Sequence, residues 1–181
     1  MSYVSVISAV VRALAAETIN SAGGCDFDQK VQADRVPGEI SGKEAAFLDD
    51  CWVHRRLHKR LSADHWSALC AKYSTHADRK RMAIMDMVRG IKSPAPSRFI
   101  ECAIVTWAYP KLQGVDGKRS LNVLPAGWYV MDNWCDDPVP VKTQERWRRD
   151  IRKSLEQKVD DALATAQEVL DAEGLIRTEA A

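Results

Sequence analysis

A chain of 181 residues with 46% hydrophobic and 28% charged positions can bury a substantial core, which excludes a wholly disordered polymer. A formal net charge of +1 excludes a uniformly basic or acidic protein, so any charged surface must arise from segregation along the chain. The five cysteines, at 25, 51, 70, 102 and 135, are odd in number and contain no C-x-x-C pair, which argues against a disulfide framework and for a reducing cytoplasm.

The first apolar positions, Val4, Ile7, Val11, Leu14 and Ala15, stand at helical spacing and are followed by Gly23-Gly24. This predicts a separate N-terminal helix over 1–23 that docks, or forms a homo-oligomer, through that stripe. The segment lacks a basic start and Arg12 interrupts it, which argues against a signal peptide. No apolar stretch approaches the roughly 20 residues of a membrane span, so no membrane partner is expected. Residues 24–42 are polar, with Pro37 and several glycines, and read as a linker.

A helical domain is expected over 43–175. Residues 41–61 place Phe47, Cys51, His54, Leu57, His58 and Leu61 on one helical face. Ser62 caps the next helix, where Trp66, Leu69, Cys70 and Tyr73 follow at i, i+3, i+4 and i+7. Thr75-x-x-Asp78 resembles a capping box and opens a helix through Ile84, Met85, Val88 and Ile91. Together, 62–91 have the dimensions of a helix-turn-helix. Prolines at 94 and 96 break the chain, Ser97 starts another helix, and Pro110 stops it. Residues 110–141 are loop-rich: a turn-rich run at 113–120, then an aromatic stretch whose Trp128, Met131 and Trp134 are expected to pack beneath the final helix.

That final helix is expected over 143–173. Pro138 and Pro140 forbid a helix just before it, Thr143 caps it, and Gly174 closes it at C′. Its apolar stripe is Trp147, Ile151, Leu155, Val159, Leu163, Ala166, Val169 and Leu170. With no convincing strand pattern, the fold class is mainly α: a helical bundle with helix-turn-helix-like units and a long C-terminal helix.

Charge is segregated along this sequence. Residues 51–92 hold ten Lys and Arg against three Asp, a local surplus of seven. Residues 142–153 hold six bases against Glu145 and Asp150, whereas 156–173 hold six acids against Lys158 alone. The helix dipole favours the reverse order, so a cationic helix start implies an anionic partner, beside the plainer reading of a solvated helix. Cys51-x-x-His54-x-x-x-His58 raises a zinc site, but the paired ligand spacing is missing and packing roles account for these residues, so no metal or cofactor is expected. The adjacent acid pairs Asp49-Asp50, Asp136-Asp137 and Asp160-Asp161 point apart or lie in loops, and no nucleophile or phosphate-loop motif occurs, so an enzyme is not expected.

The features that coincide are a helix-turn-helix layout, two basic regions and a donor-rich helix start. Gln144 and Arg146 suit bidentate contacts to base edges, and Lys142, Arg149 and Lys153 suit phosphates. Arg79, Lys80 and Arg81, at the start of the second helix of the 62–91 unit, join the candidate DNA-binding set. Trp147 belongs to the buried stripe and reads as an anchor.

The run 61–84 (LSADHWSALCAKYSTHADRKRMAI), followed by 139–155 (VPVKTQERWRRDIRKSL) and 162–170 (ALATAQEVL), resembles the small Q-type late-gene antiterminators of lambdoid and related phages. The likeness covers about residues 45–174 and includes Thr143-Gln144-x-x-Trp147. It implies a mainly helical protein, similar to the fourth region of sigma factors, that binds duplex DNA at a late promoter and engages host RNA polymerase in the bacterial cytoplasm. Thr143, Gln144, Arg146, Arg148 and Arg149 map to the recognition helix the resemblance implies. Some members carry a C-x-x-C zinc insertion; this chain has none. The alternative is a non-enzymatic phage interaction or inhibitor protein whose basic face binds an acidic protein partner.

Overall fold

The computed structural model describes residues 3–21, 42–111 and 123–176. The linker expected at 24–42 (apart from Gly42), the glycine stop at 23–24 and the turn-rich run at 113–120 lie outside them. Among the described residues there are six α-helices: α1 (Val6–Ser21), α2 (Gly42–Arg60), α3 (Ala63–Tyr73), α4 (Ala77–Gly90), α5 (Ser97–Ala108) and α6 (Val141–Ala172). Two 3-10 turns, Ala126–Tyr129 and Met131–Trp134, lead into α6. Among the described residues the β pairing consists of one parallel bridge, Tyr3 to Ile176. None of the described helices is long and apolar enough to cross a membrane.

The caps show which local signals set the helix boundaries. Ser62 accepts from the His65 amide at 3.2 Å, as its position predicts. Ser5 and Ser8 cap α1 reciprocally, each hydroxyl accepting the other's amide at 3.2 Å. The expected box at Thr75 and Asp78 does not form: His76 is the cap, its Nδ1 accepting from the Arg79 amide at 3.3 Å. Nor does Thr143 cap α6, which begins two residues earlier behind Pro140, whose carbonyl takes the Thr143 amide at 2.8 Å. Proline before the first turn already fixes the backbone, so no side-chain cap is required there. At the other end Gly174 adopts φ +66°, and the Leu175 and Gly174 amides close back on Leu170 and Asp171 at 3.0 Å each, a Schellman motif.

Helix α6 is the axis of the bundle, touching α1, α2, α3 and α5, while α4 packs on α3 and α5. Its inner stripe, Ile151, Leu155, Val159, Ala162, Ala166 and Leu170, is buried, with Trp147 and Leu163 half-buried beside it. At the start of α6, Phe99 meets Trp134 and Trp147 in T-shaped contacts, with centroids 5.1 and 5.5 Å away. Helices α3 and α4, joined by Ser74–His76, pack on each other.

Two stripes differ from expectation. On α1 the buried positions are Ala9, Val10, Ala13, Leu14 and Ala16, whereas Ile7 is 47% exposed and Val4, just before the helix, 79% exposed. This helix is apolar on most sides, so periodicity alone leaves its buried face undecided, and the alanines let α2 approach closely. On α4, Ala83, Ile84 and Met87 are buried and Met85 is exposed. The N-terminal helix is also not a separate unit. Tyr3, Val10 and Leu14 belong to the same core as Phe99 and Leu155, the Tyr3 amide donates to the Leu175 carbonyl at 2.7 Å, and Tyr3 Oη donates to Asp50 at 2.7 Å.

Candidate nucleic-acid interface

Helix α6 turns by about 100° per residue, so Lys142, Arg146, Arg149 and Lys153, at i, i+4, i+7 and i+11, fall within about 60° of one another along about 17 Å of axis. All four are exposed. The buried stripe from Gln144 through Ile151 to Leu155 lies on the opposite side, so core packing holds this cationic ridge outward. Among the described residues the ridge has one ion-pair partner, Asp150, 3.7 Å from Arg149 Nε.

Gln144 does not belong to the ridge. It is 4% exposed, and its Nε2 donates to the Val139 carbonyl at 2.9 Å, fastening the Pro138–Pro140 segment to the first turn of α6. The expectation that Gln144 reads base edges is therefore corrected: its angular position puts the amide in the core, where a groove cannot reach it. Thr143 is half-buried beside it. Arg148 is exposed but turned away from the ridge, its guanidinium 5.8 Å from the Trp134 ring and its Nη1 3.9 Å from Met131 Sδ.

The basic region of residues 51–92 is dispersed. Arg81 pairs with Asp78 at 3.0 Å and Arg89 with Asp86 at 2.7 Å on the outer side of α4, while Arg56 pairs with Glu173. Lys80 faces inward, its Nζ 4.9 Å from the Tyr109 ring and 3.4 Å from the Lys72 carbonyl. Burial, and then the Lys72 ammonium, push its pKa below the ordinary lysine value. Arg79 is half-buried. Successive positions on α4 diverge by about 100°, so Arg79, Lys80 and Arg81 do not form one surface.

On α2 and α3, the His54 and His58 rings lie parallel at 6.3 Å and each meets Trp66 edge-on at 5.1 Å. Burial, then Asp50, raises the Cys51 thiol pKa. Among the described residues no three His, Cys, Asp or Glu side chains converge as metal ligands.

A second cationic group went unread in the sequence. Lys72, from α3, gives Glu156 hydrogen bonds of 3.0 and 3.2 Å, Trp107 Nε1 gives it another at 2.9 Å, and Arg152 lies 3.8 Å away. Lys111, just past α5, stands 5.2 Å from the Tyr129 ring. Arg148-x-x-x-Arg152-x-x-x-Glu156 was the one legible trace of this cluster, since its other members come from separate elements. No protein-family model, curated protein or solved structure matches this chain.

Proposed function

We propose that this protein is a phage transcription regulator that binds duplex DNA through the cationic ridge of α6 and acts as an antiterminator on host RNA polymerase. The observation that carries the DNA reading is the ridge: four exposed bases in register, opposite the buried stripe, with Asp150 as their one ion-pair partner among the described residues. A convex helix fits a major groove about 12 Å wide, and bases a turn apart suit phosphates along its wall. Arg146 is the candidate base reader; Lys142, Arg149 and Lys153 are the phosphate contacts. Antitermination, the polymerase partner and the bacterial cytoplasm rest on the likeness to the Q-type proteins.

Binding of Arg146→Ala and Arg149→Ala to a duplex selected from a random pool, and to random duplex, at two salt concentrations tests the reading. Arg149→Ala should weaken both duplexes alike and flatten the salt slope by about one unit. Arg146→Ala should cost about 1–3 kcal/mol on the selected duplex and little on random DNA. If both variants match the parent on both duplexes, the ridge is not the DNA reader. A parent protein that retains no duplex at low salt would instead turn the ridge toward an acidic protein partner.

A further inference from the structure

A cavity of about 460 Å3 opens between α3, α5, α6 and the two 3-10 turns. Its lining combines the rings of Trp107, Tyr129 and Trp134, of which Tyr129 alone is more than marginally exposed, with Lys72, Lys111, Arg148 and Arg152. Among the described residues Glu156 is the one carboxylate bonded to this group, and it is already shared between Lys72, Trp107 and Arg152. Four cations against one carboxylate leave a surplus of three positive charges. Lys111 and Arg148 have no ion pair among the described residues and rest instead on the Tyr129 and Trp134 rings. A ring contact fixes a cation through its π face and leaves N–H donors unspent, so these two side chains are held in place with donors to give.

We propose that this pocket binds a nucleotide, with its phosphate between Lys111, Arg148 and their neighbours and its base against the half-buried Tyr129 ring. The charge surplus suits the about −1.5 to −2 of a phosphate monoester better than a single carboxylate. The volume lies within the about 300–1,000 Å3 in which proteins hold small ligands, and aromatic surface is what a base packs against. The pocket is concave where the α6 ridge is convex, and Arg148 and Arg152 are turned roughly 90–130° from the ridge. It therefore takes a single nucleotide, free or at the end of a strand, and does not depend on the duplex reading.

Isothermal titration calorimetry with AMP, adenosine and inorganic phosphate tests it on the parent and on Lys111→Ala, Arg148→Ala, Arg146→Ala and Arg149→Ala. Lys111 and Arg148 are exposed, so their variants should fold, with circular dichroism as the check. AMP should bind saturably and more tightly than either adenosine or phosphate. The two pocket variants should weaken it about tenfold or more, and the two ridge variants should leave it unchanged. A 5′-phosphorylated single-stranded hexanucleotide that binds more tightly than AMP, with the same loss in Arg148→Ala, assigns the ligand to a strand end; equal or weaker binding assigns it to free nucleotide. Absence of saturable AMP binding, equal affinity for AMP and inorganic phosphate, or AMP binding insensitive to both pocket variants overturns the proposal. Failure of the ridge variants to alter duplex affinity leaves it standing.

Discussion

The amide of Gln144 sits on the inner side of α6 with Nε2 bonded to Val139 and Oε1 buried without a hydrogen-bond partner among the described residues. Its work is to fasten a helix start that has no side-chain cap. Gln144→Ala should cost about 1–2 kcal/mol in urea unfolding and leave the ratio of specific to random DNA affinity unchanged. Unchanged stability with lost discrimination would mean that the side chain swings out to read bases. Glu156 answers to pH. Burial raises its pKa, but the hydrogen bonds from Lys72 and Trp107 and the charges of Lys72 and Arg152 outweigh burial, and the net direction is down. A depressed carboxylate contributes stability that is full above its ordinary value and is lost as pH falls through the folded-state value. The parent should therefore exceed Glu156→Gln by about 1 kcal/mol at neutral pH, a figure discounted for a side chain 36% exposed. That gap should close on acidification below the ordinary carboxylate range; a gap constant with pH would make the contribution one of shape.

At the scale of the element, the legible features were those fixed by backbone chemistry. Prolines at 138 and 140 placed the start of α6 to within two residues, and Gly174 marked its end through the left-handed conformation a Schellman motif requires. Gly174→Ala tests that reading cleanly, because an added Cβ meets nothing within 4 Å and the cost is conformational alone. It should lower stability by about 1 kcal/mol, with Gly174→Asn costing less; no shift in thermal midpoint for either would contradict it. Faces were harder to read than boundaries. Helix α6 has a polar side that its charges declare, so its stripe was read correctly from Trp147 to Leu170. Helix α1 has apolar residues on most sides, and Val4, Ile7 and Val11 turned out to be exposed because the alanine-lined side docks on the bundle.

At the scale of the molecule, composition and spacing suggested a separable N-terminal helix, yet one core runs from Tyr3 to Leu170. Asp50 accepts from Tyr3 Oη and from Arg12 at 3.0 Å, so α1 and α2 are clamped by a partly buried charge as well as by packing. Burial and then the hydrogen bond to Asp50 push the Tyr3 pKa up, which favours the protonated phenol that donates to that carboxylate. Thermal unfolding followed by far-ultraviolet circular dichroism and by tryptophan fluorescence should give a single coincident transition. Two separated transitions would show that α1 unfolds on its own.

The amino-acid sequence by itself determined the helical class, the approximate span of each described helix after the first, and the polarity of α6, because proline, glycine, capping serine and 3.6-residue periodicity act within a few neighbours. The tertiary structure alone decided which side of α1 is buried, that Gln144 points inward, and that Arg79, Lys80 and Arg81 diverge. It also decided that Lys72, Trp107, Lys111 and Arg148 line one cavity, and that Glu156, 84 residues from Lys72, bonds to that lysine. Those outcomes depend on where neighbouring helices sit, and a charge whose partner is distant in the chain leaves no periodic trace in its own segment.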